Sequence, residues 1–269
     1  MNRKPVDWFN RRIAEEFTRM FANAAHRQER ALKNEGAGER GSKNGSFPFI
    51  PMGTQSVAKD FVLTADLIRQ KSRKYCEQPT HWMYNKTSYQ LTFLDAGCGI
   101  GNIMLIANMF GLGGEQHGIE YDKKTIDAAH KFLRTYSDRN NFVIHHGDIL
   151  TFPNYKDYDI IYYYCPFSSY LLQAFFEERL EDEVKVGTII MPYLKRSDVV
   201  RKDSRFKRLT TRRNYPKVLL KVRDGERKHS VLPAMMKDPD RWTNLKMPKH
   251  YKKMVTQRLK DMEERGCFS

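Results

Sequence analysis

From residue 91 onward the apolar residues of this 269-residue chain fall into short runs separated by helical repeats. Leu91–Leu94, Gln116–Asp122, Phe142–Asp148, Tyr158–Tyr164 and Val186–Leu194 are brief and read as strands, and Tyr158–Tyr164, rich in β-branched and aromatic residues, has the pattern of a buried strand in a parallel sheet. Between them, Asn102–Phe110, Lys123–Tyr136 and the stretch around Phe175–Leu180 predict helices; in the second, Ile126, Ala129 and Leu133 share one face. Strands alternating with helices predict an α/β fold with a doubly wound, mostly parallel sheet, whose ligand lies beyond the carboxyl ends of the strands. Lys217–Val222 and Ser230–Met235 flank Asp224-Gly225, a hairpin signal that predicts a final antiparallel pair.

The flanks read differently. Ile13, Phe17, Met20, Phe21 and Ala24 are spaced as one apolar face of a helix over 7–33, and Gly36–Ser46 reads as a linker. An apolar, proline-containing segment, Phe47–Thr54, leads into a helical pattern through Val57, Phe61 and Leu67. At the other end, 248–265 predicts a basic helix carrying Tyr251, Met254, Val255, Leu259 and Met262. The expected division is a helical extension and linker over 1–46, a main domain over 47–235 and a basic helical extension over 236–269.

Charge adds a second theme. Residues 195–269 hold 23 Lys+Arg against 9 Asp+Glu, a net +14, whereas the rest of the chain is close to neutral at +1. A basic quarter on a neutral body points to an anionic partner, nucleic acid first, and Phe206, Tyr215, Trp242 and Tyr251 are interleaved there as candidate stacking residues. A solvated basic surface is the plain alternative. No 18-residue apolar run is present and the N-terminus lacks a signal-peptide core, so no membrane partner is expected and a cytoplasmic location is. Cys76, Cys98, Cys165 and Cys267 lack metal-ligand spacing, so no metal site and reduced thiols are expected. Nothing in the composition addresses oligomeric state.

The chemistry concentrates after the first strand, in Asp95-Ala-Gly97-Cys98-Gly99-Ile-Gly101-Asn102. Glycines let the backbone turn sharply and approach a ligand, and the helix that follows offers its N-terminus. The spacing is G-x-G-x-G; the dinucleotide fingerprint needs a glycine at position 102, where this chain has Asn, which argues against a dehydrogenase. This run resembles the first motif of the class I, Rossmann-like, seven-strand S-adenosylmethionine (SAM) methyltransferases. The resemblance covers about 47–235. It implies SAM as cofactor, with Asp95, Gly97, Cys98, Gly99, Gly101 and Asn102 around its methionine portion. Glu120, 25 residues after Asp95, stands where that family places a ribose-binding carboxylate, and Tyr121 or Asp122 where the adenine edge is lined. Gly147-Asp148-Ile149 resembles the motif in which an acid meets the adenine amino group and an apolar neighbour packs on the ring. The 47–67 segment is similar to one that small bacterial relatives of the non-SET lysine methyltransferases, and some nucleic-acid N-methyltransferases, fold over the cofactor.

Tyr164-Cys165-Pro166-Phe167 ends the fourth strand, where the family faces the transferring methyl. Amino-directed members carry a polar residue, two prolines and an aromatic there. Only Pro166 and Phe167 match, with Tyr164 in the polar place. Tyr164 is therefore the candidate catalytic and cofactor-facing residue, and Cys165, Pro166 and Phe167 the candidate substrate-side residues. His145 and His146 read as structural, and Cys165 has no neighbour that would activate it as a nucleophile. The expected function is methyl transfer from SAM to a macromolecular acceptor, a protein side chain or nucleic acid. The competing expectation is a basic nucleic-acid-binding adaptor that keeps the fold without activity. The basic tail is expected to be separable from the cofactor loops, which lie far upstream.

Overall fold

The structure is a computed structural model that describes residues 30, 34, 91–109, 114–136, 141–193, 203–209, 218–238 and 248–264. The helix expected over 7–33 (apart from Arg30, which is helical), the linker, the 47–67 segment, Tyr215 and Trp242 lie outside the described residues.

Seven strands form one sheet in the order β3-β2-β1-β4-β5-β7-β6. They are β1 (Thr92–Ala96), β2 (Glu115–Glu120), β3 (Phe142–His146), β4 (Ile160–Tyr164), β5 (Ile189–Tyr193), β6 (Phe206–Arg208) and β7 (Leu219–Lys221). The first five are parallel, while β7 runs antiparallel to both β5 and β6. Helices α1 (Asn102–Met109), α2 (Lys123–Tyr136) and α3 (Tyr170–Glu183) connect the parallel strands; α4 (Leu232–Met236) and α5 (Lys249–Glu264) follow β7.

Residue alternation along each strand feeds two layers. Leu94, Ile161, Tyr163 and Ile190 join the cluster packed by α3, α4 and α5. Phe93, Ile160, Tyr162 and Ile189 join the opposite cluster, packed by α1. Gly118 in β2 is a packing requirement: a Cβ there would lie 2.5 Å from Cys98 Sγ and 2.7 Å from Met104 Sδ. The glycine turn and α1 thus close directly onto β2.

The hairpin expected around Asp224-Gly225 is corrected. Lys217–Val222 does contribute an antiparallel strand, but its partners are β5 and β6, and Ser230–Met235 supplies no strand. Leu232–Met236 is a short helix with Pro233 in its first turn, a position where the missing N–H costs nothing. Gly225 (φ +131°) turns the chain so that Arg227 enters the interior instead.

α3 is buried on nearly all sides. Its apolar face, Leu172, Phe175 and Phe176, lies in the main core. Its acidic residues Glu178, Glu181 and Asp182 meet Arg227, whose guanidinium is 2.8 Å from Glu181 and 3.1 Å from Asp182. Arg205 reaches Asp182 and Asp203, each at 2.6 Å, and Arg258 of α5 also bonds Asp182. Arg205, Arg227 and Arg258, among the tail's 23 cationic side chains, are therefore paired with acids of the body or of their own loop, and Phe206 and Tyr251, read as candidate stacking residues, are buried.

Candidate functional site

The carboxyl ends of β1, β2, β3 and β4 converge on one edge of the sheet. At β1, Asp95 is 2% exposed. The chain then turns through Gly97 (φ +88°), Gly99 (φ +55°) and Gly101 (φ +81°), left-handed conformations that glycine adopts without strain. Gly97 and Cys98 both donate their N–H to the Ile119 carbonyl at 3.0 Å, which fastens the turn to β2. Gly97 itself is exposed, and a Cβ there would meet nothing nearer than Pro166 Cβ at 3.8 Å.

Glu120 ends β2 and ties three backbone amides together. Its Oε2 accepts from the Gly99 N–H at 3.1 Å, and its Oε1 from Tyr121 at 2.8 Å and Asp122 at 2.9 Å. A carboxylate offers about four acceptor positions, so Glu120 holds the glycine turn and keeps little acceptor capacity beyond it. Burial, with the charge of Glu120 next, pushes the Asp95 carboxyl well above the ordinary carboxylate range. Burial likewise raises Glu120, against the pull of its three amide bonds. A buried and a half-buried acid at a glycine turn form a site that favours a cationic group and repels a pyrophosphate.

Asp148 follows β3. Its Oδ1 accepts from the Leu150 N–H at 2.8 Å, and its Oδ2 from the Tyr251 hydroxyl of α5 at 2.7 Å. Ile149 is buried in the main core, and Tyr121 stands 44% exposed on the same edge. Asp122, one candidate for the adenine edge, is instead the cap of α2, accepting from the Thr125 N–H at 3.0 Å and hydroxyl at 2.8 Å.

At β4, Tyr164 stacks on Tyr193 of β5 with ring centroids 5.4 Å apart, and both rings are partly exposed. Cys165 takes a left-handed conformation (φ +34°), a strained state for a residue with a side chain, and its thiol is buried. Phe167, read as substrate-side, is corrected: it is 1% exposed and packs in the core near Phe176, drawn there by the adjoining apolar face of α3. Its N–H donates to Gln173, whose amide donates to Glu177, so α3 anchors the strained loop. Pro166 adjoins the glycine turn, its Cβ 3.8 Å from where a Cβ on Gly97 would lie. Cys98 and Asn102 are buried, and the Cys98 thiol faces β2, so any contact it offers a ligand comes from its backbone.

His145 shares a 2.9 Å hydrogen bond with His117 beside Tyr158, and His146 bonds the Tyr121 carbonyl. Among the described residues no group of three or more His, Cys, Asp or Glu could hold a metal, and no helix is long and apolar enough to cross a membrane. In the sequence Tyr251 was legible as an apolar-face residue of a predicted helix and as a candidate stacking residue, not as a partner of Asp148. Its reach to Asp148, 103 residues earlier, carries no local sequence signal.

A family described as a methyltransferase domain matches residues 87–258. The chain belongs to that family. Its fold is that of a Rossmann-like methyltransferase, and the match runs into the first part of α5. Among solved structures, the chain is similar to an RNA methyltransferase from Salinibacter ruber in complex with S-adenosyl-L-homocysteine. The identity is 13% over 67% of this chain and 99% of that one, with a TM-score of 0.46. It is also similar to PKMT2 from Rickettsia typhi in complex with AdoHcy, at 22% identity over 40% of this chain and 21% of that one, TM-score 0.33. A third is magnesium protoporphyrin IX methyltransferase from Synechocystis PCC 6803 with bound SAM, at 15% identity over 64% and 83%, TM-score 0.39. No curated protein matches the chain.

Proposed function

We propose that this methyltransferase uses SAM as its cofactor and transfers a methyl group to a macromolecular acceptor, a protein side chain or nucleic acid. The observation that carries the cofactor reading is the buried Asp95 with the half-buried Glu120 beside the Gly97–Gly101 turn. SAM, when bound, supplies an electrophilic methyl on a sulfonium and brings an ammonium group, both cationic. Asp95 and the glycine turn favour the methionine portion, Glu120 shapes the turn and meets the ribose with its remaining acceptor capacity, and Asp148 accepts from the adenine. Tyr164 and Tyr193 form an aromatic wall where the acceptor enters. Such a wall orients a planar base or an amine without moving a proton, so the site acts chiefly by positioning. A macromolecular acceptor is supported by the exposed lysines of α5, Lys249, Lys252, Lys253 and Lys260.

The test is incorporation of labelled methyl from SAM into fractionated cellular protein, RNA and DNA. Label is expected in one macromolecular fraction, and less of it in high salt if that fraction is nucleic acid. SAM binding without label in any fraction would favour the inactive adaptor, and label confined to small molecules would overturn the acceptor class.

A further inference from the structure

α5 is described by sequence as a basic helix, yet one face of it is part of the site. Tyr251, Val255 and Met262 are buried, and Lys249, Lys252, Lys253 and Lys260 are exposed on the other side. Tyr251, 2% exposed, shares the main core with Ile149, and its hydroxyl donates to Asp148 Oδ2 at 2.7 Å. The other carboxylate oxygen is held by the Leu150 amide. Both oxygens of Asp148 are thus fixed from opposite sides, and the carboxylate cannot rotate without breaking one of these bonds.

We infer that Tyr251 is a positioning residue of the cofactor site: through Asp148 it sets the acceptor that reads the adenine amino group, and so joins α5 to cofactor binding. The inference rests on the proposed assignment of Asp148 to the adenine. Geometry carries it, and the electrostatic surroundings of the phenol agree. Burial first, then the charge of Asp148, hold the phenol well above its ordinary pKa, so it remains a donor throughout the physiological range. A charge-assisted bond in a partly buried place is worth more than a neutral one. Without it Asp148 keeps one anchor and loses its fixed orientation. The coupling is reciprocal: a ligand that engages Asp148 also favours the docked α5. The expectation of a tail separable from the cofactor loops is corrected accordingly.

The test compares two ligands by titration calorimetry: S-adenosylhomocysteine, and its analogue with purine in place of adenine, which lacks only the exocyclic amino group. Tyr251→Phe keeps the ring and removes the donor. It is expected to weaken S-adenosylhomocysteine about 5–10-fold and to change the purine analogue less than about 2-fold, so the adenine preference falls. A purely structural role would weaken both ligands equally. Equal losses, or none, would overturn the inference while leaving the cofactor reading intact; a wild-type protein that binds neither ligand would sink the cofactor reading itself. Should Tyr251→Phe not fold, 3-fluorotyrosine at position 251 retains the hydroxyl. Its fluorine resonance is expected to shift with S-adenosylhomocysteine and less with the purine analogue, and identical shifts would overturn the inference.

Discussion

Arg227→Met is expected to destabilise the folded protein by about 3–5 kcal/mol, the usual cost of stranding buried charges by removing their partner. Arg227 is 5% exposed and faces Glu178, Glu181 and Asp182, of which the first two are fully buried. Its charge lowers both Glu178 and Asp182, although burial still leaves Glu178 above its ordinary value. Without Arg227 both carboxyls move up. A carboxyl whose folded pKa exceeds its unfolded value contributes stability below the unfolded pKa and loses it as pH rises through the folded one. The loss should therefore be larger at pH 8 than at pH 5. Urea denaturation at the two pH values measures it. A loss under about 1 kcal/mol at pH 8, well below the range for a stranded buried charge, would mean that these acids do not depend on Arg227.

Glu120→Ala is expected to weaken S-adenosylhomocysteine binding about 10–100-fold, the equivalent of about 1.5–3 kcal/mol for charge-assisted bonds. Two effects combine. The ribose loses an acceptor, and the amides of Gly99, Tyr121 and Asp122 lose theirs, so the glycine turn is no longer held to the end of β2. The second effect also lowers the melting temperature, because these amides are left to find other partners. Glu120→Gln keeps an oxygen acceptor and should fall between the two. Calorimetric titration decides the point, and unchanged affinity in Glu120→Ala removes this residue from the site.

The body of the fold was legible because its signals are local. The alternation of Leu94, Ile161 and Tyr163 with their odd-numbered or even-numbered neighbours matches a sheet covered on both sides, and Gly97, Gly99 and Gly101 announce a turn that only glycine makes cheaply. The candidate acids at 95, 120 and 148 do fall on one edge of the sheet. What failed depended on distant partners. Ser230–Met235 has the apolar content of a strand, but Pro233 and the pull of Arg227 into the α3 acids make it a helix. Phe167 matched a motif by type while its ring was claimed by the core. A count of charges likewise cannot see that Arg205, Arg227 and Arg258 of the tail meet acids of α3. Tyr251 was hidden for the same reason, since its partner is 103 residues away.

The central claim is that an acid pair at a glycine turn, Asp95 buried and Glu120 half-buried, holds a cationic adenosyl cofactor, and titration calorimetry of the intact protein tests it most directly. SAM and S-adenosylhomocysteine are expected to bind saturably and NAD not at all. Because Asp95 is held above the ordinary carboxylate range and a cationic ligand favours its ionised form, SAM affinity should rise as pH increases beyond that range, with proton release on binding. Absence of SAM binding at millimolar ligand, or heat from NAD in its place, would contradict the account.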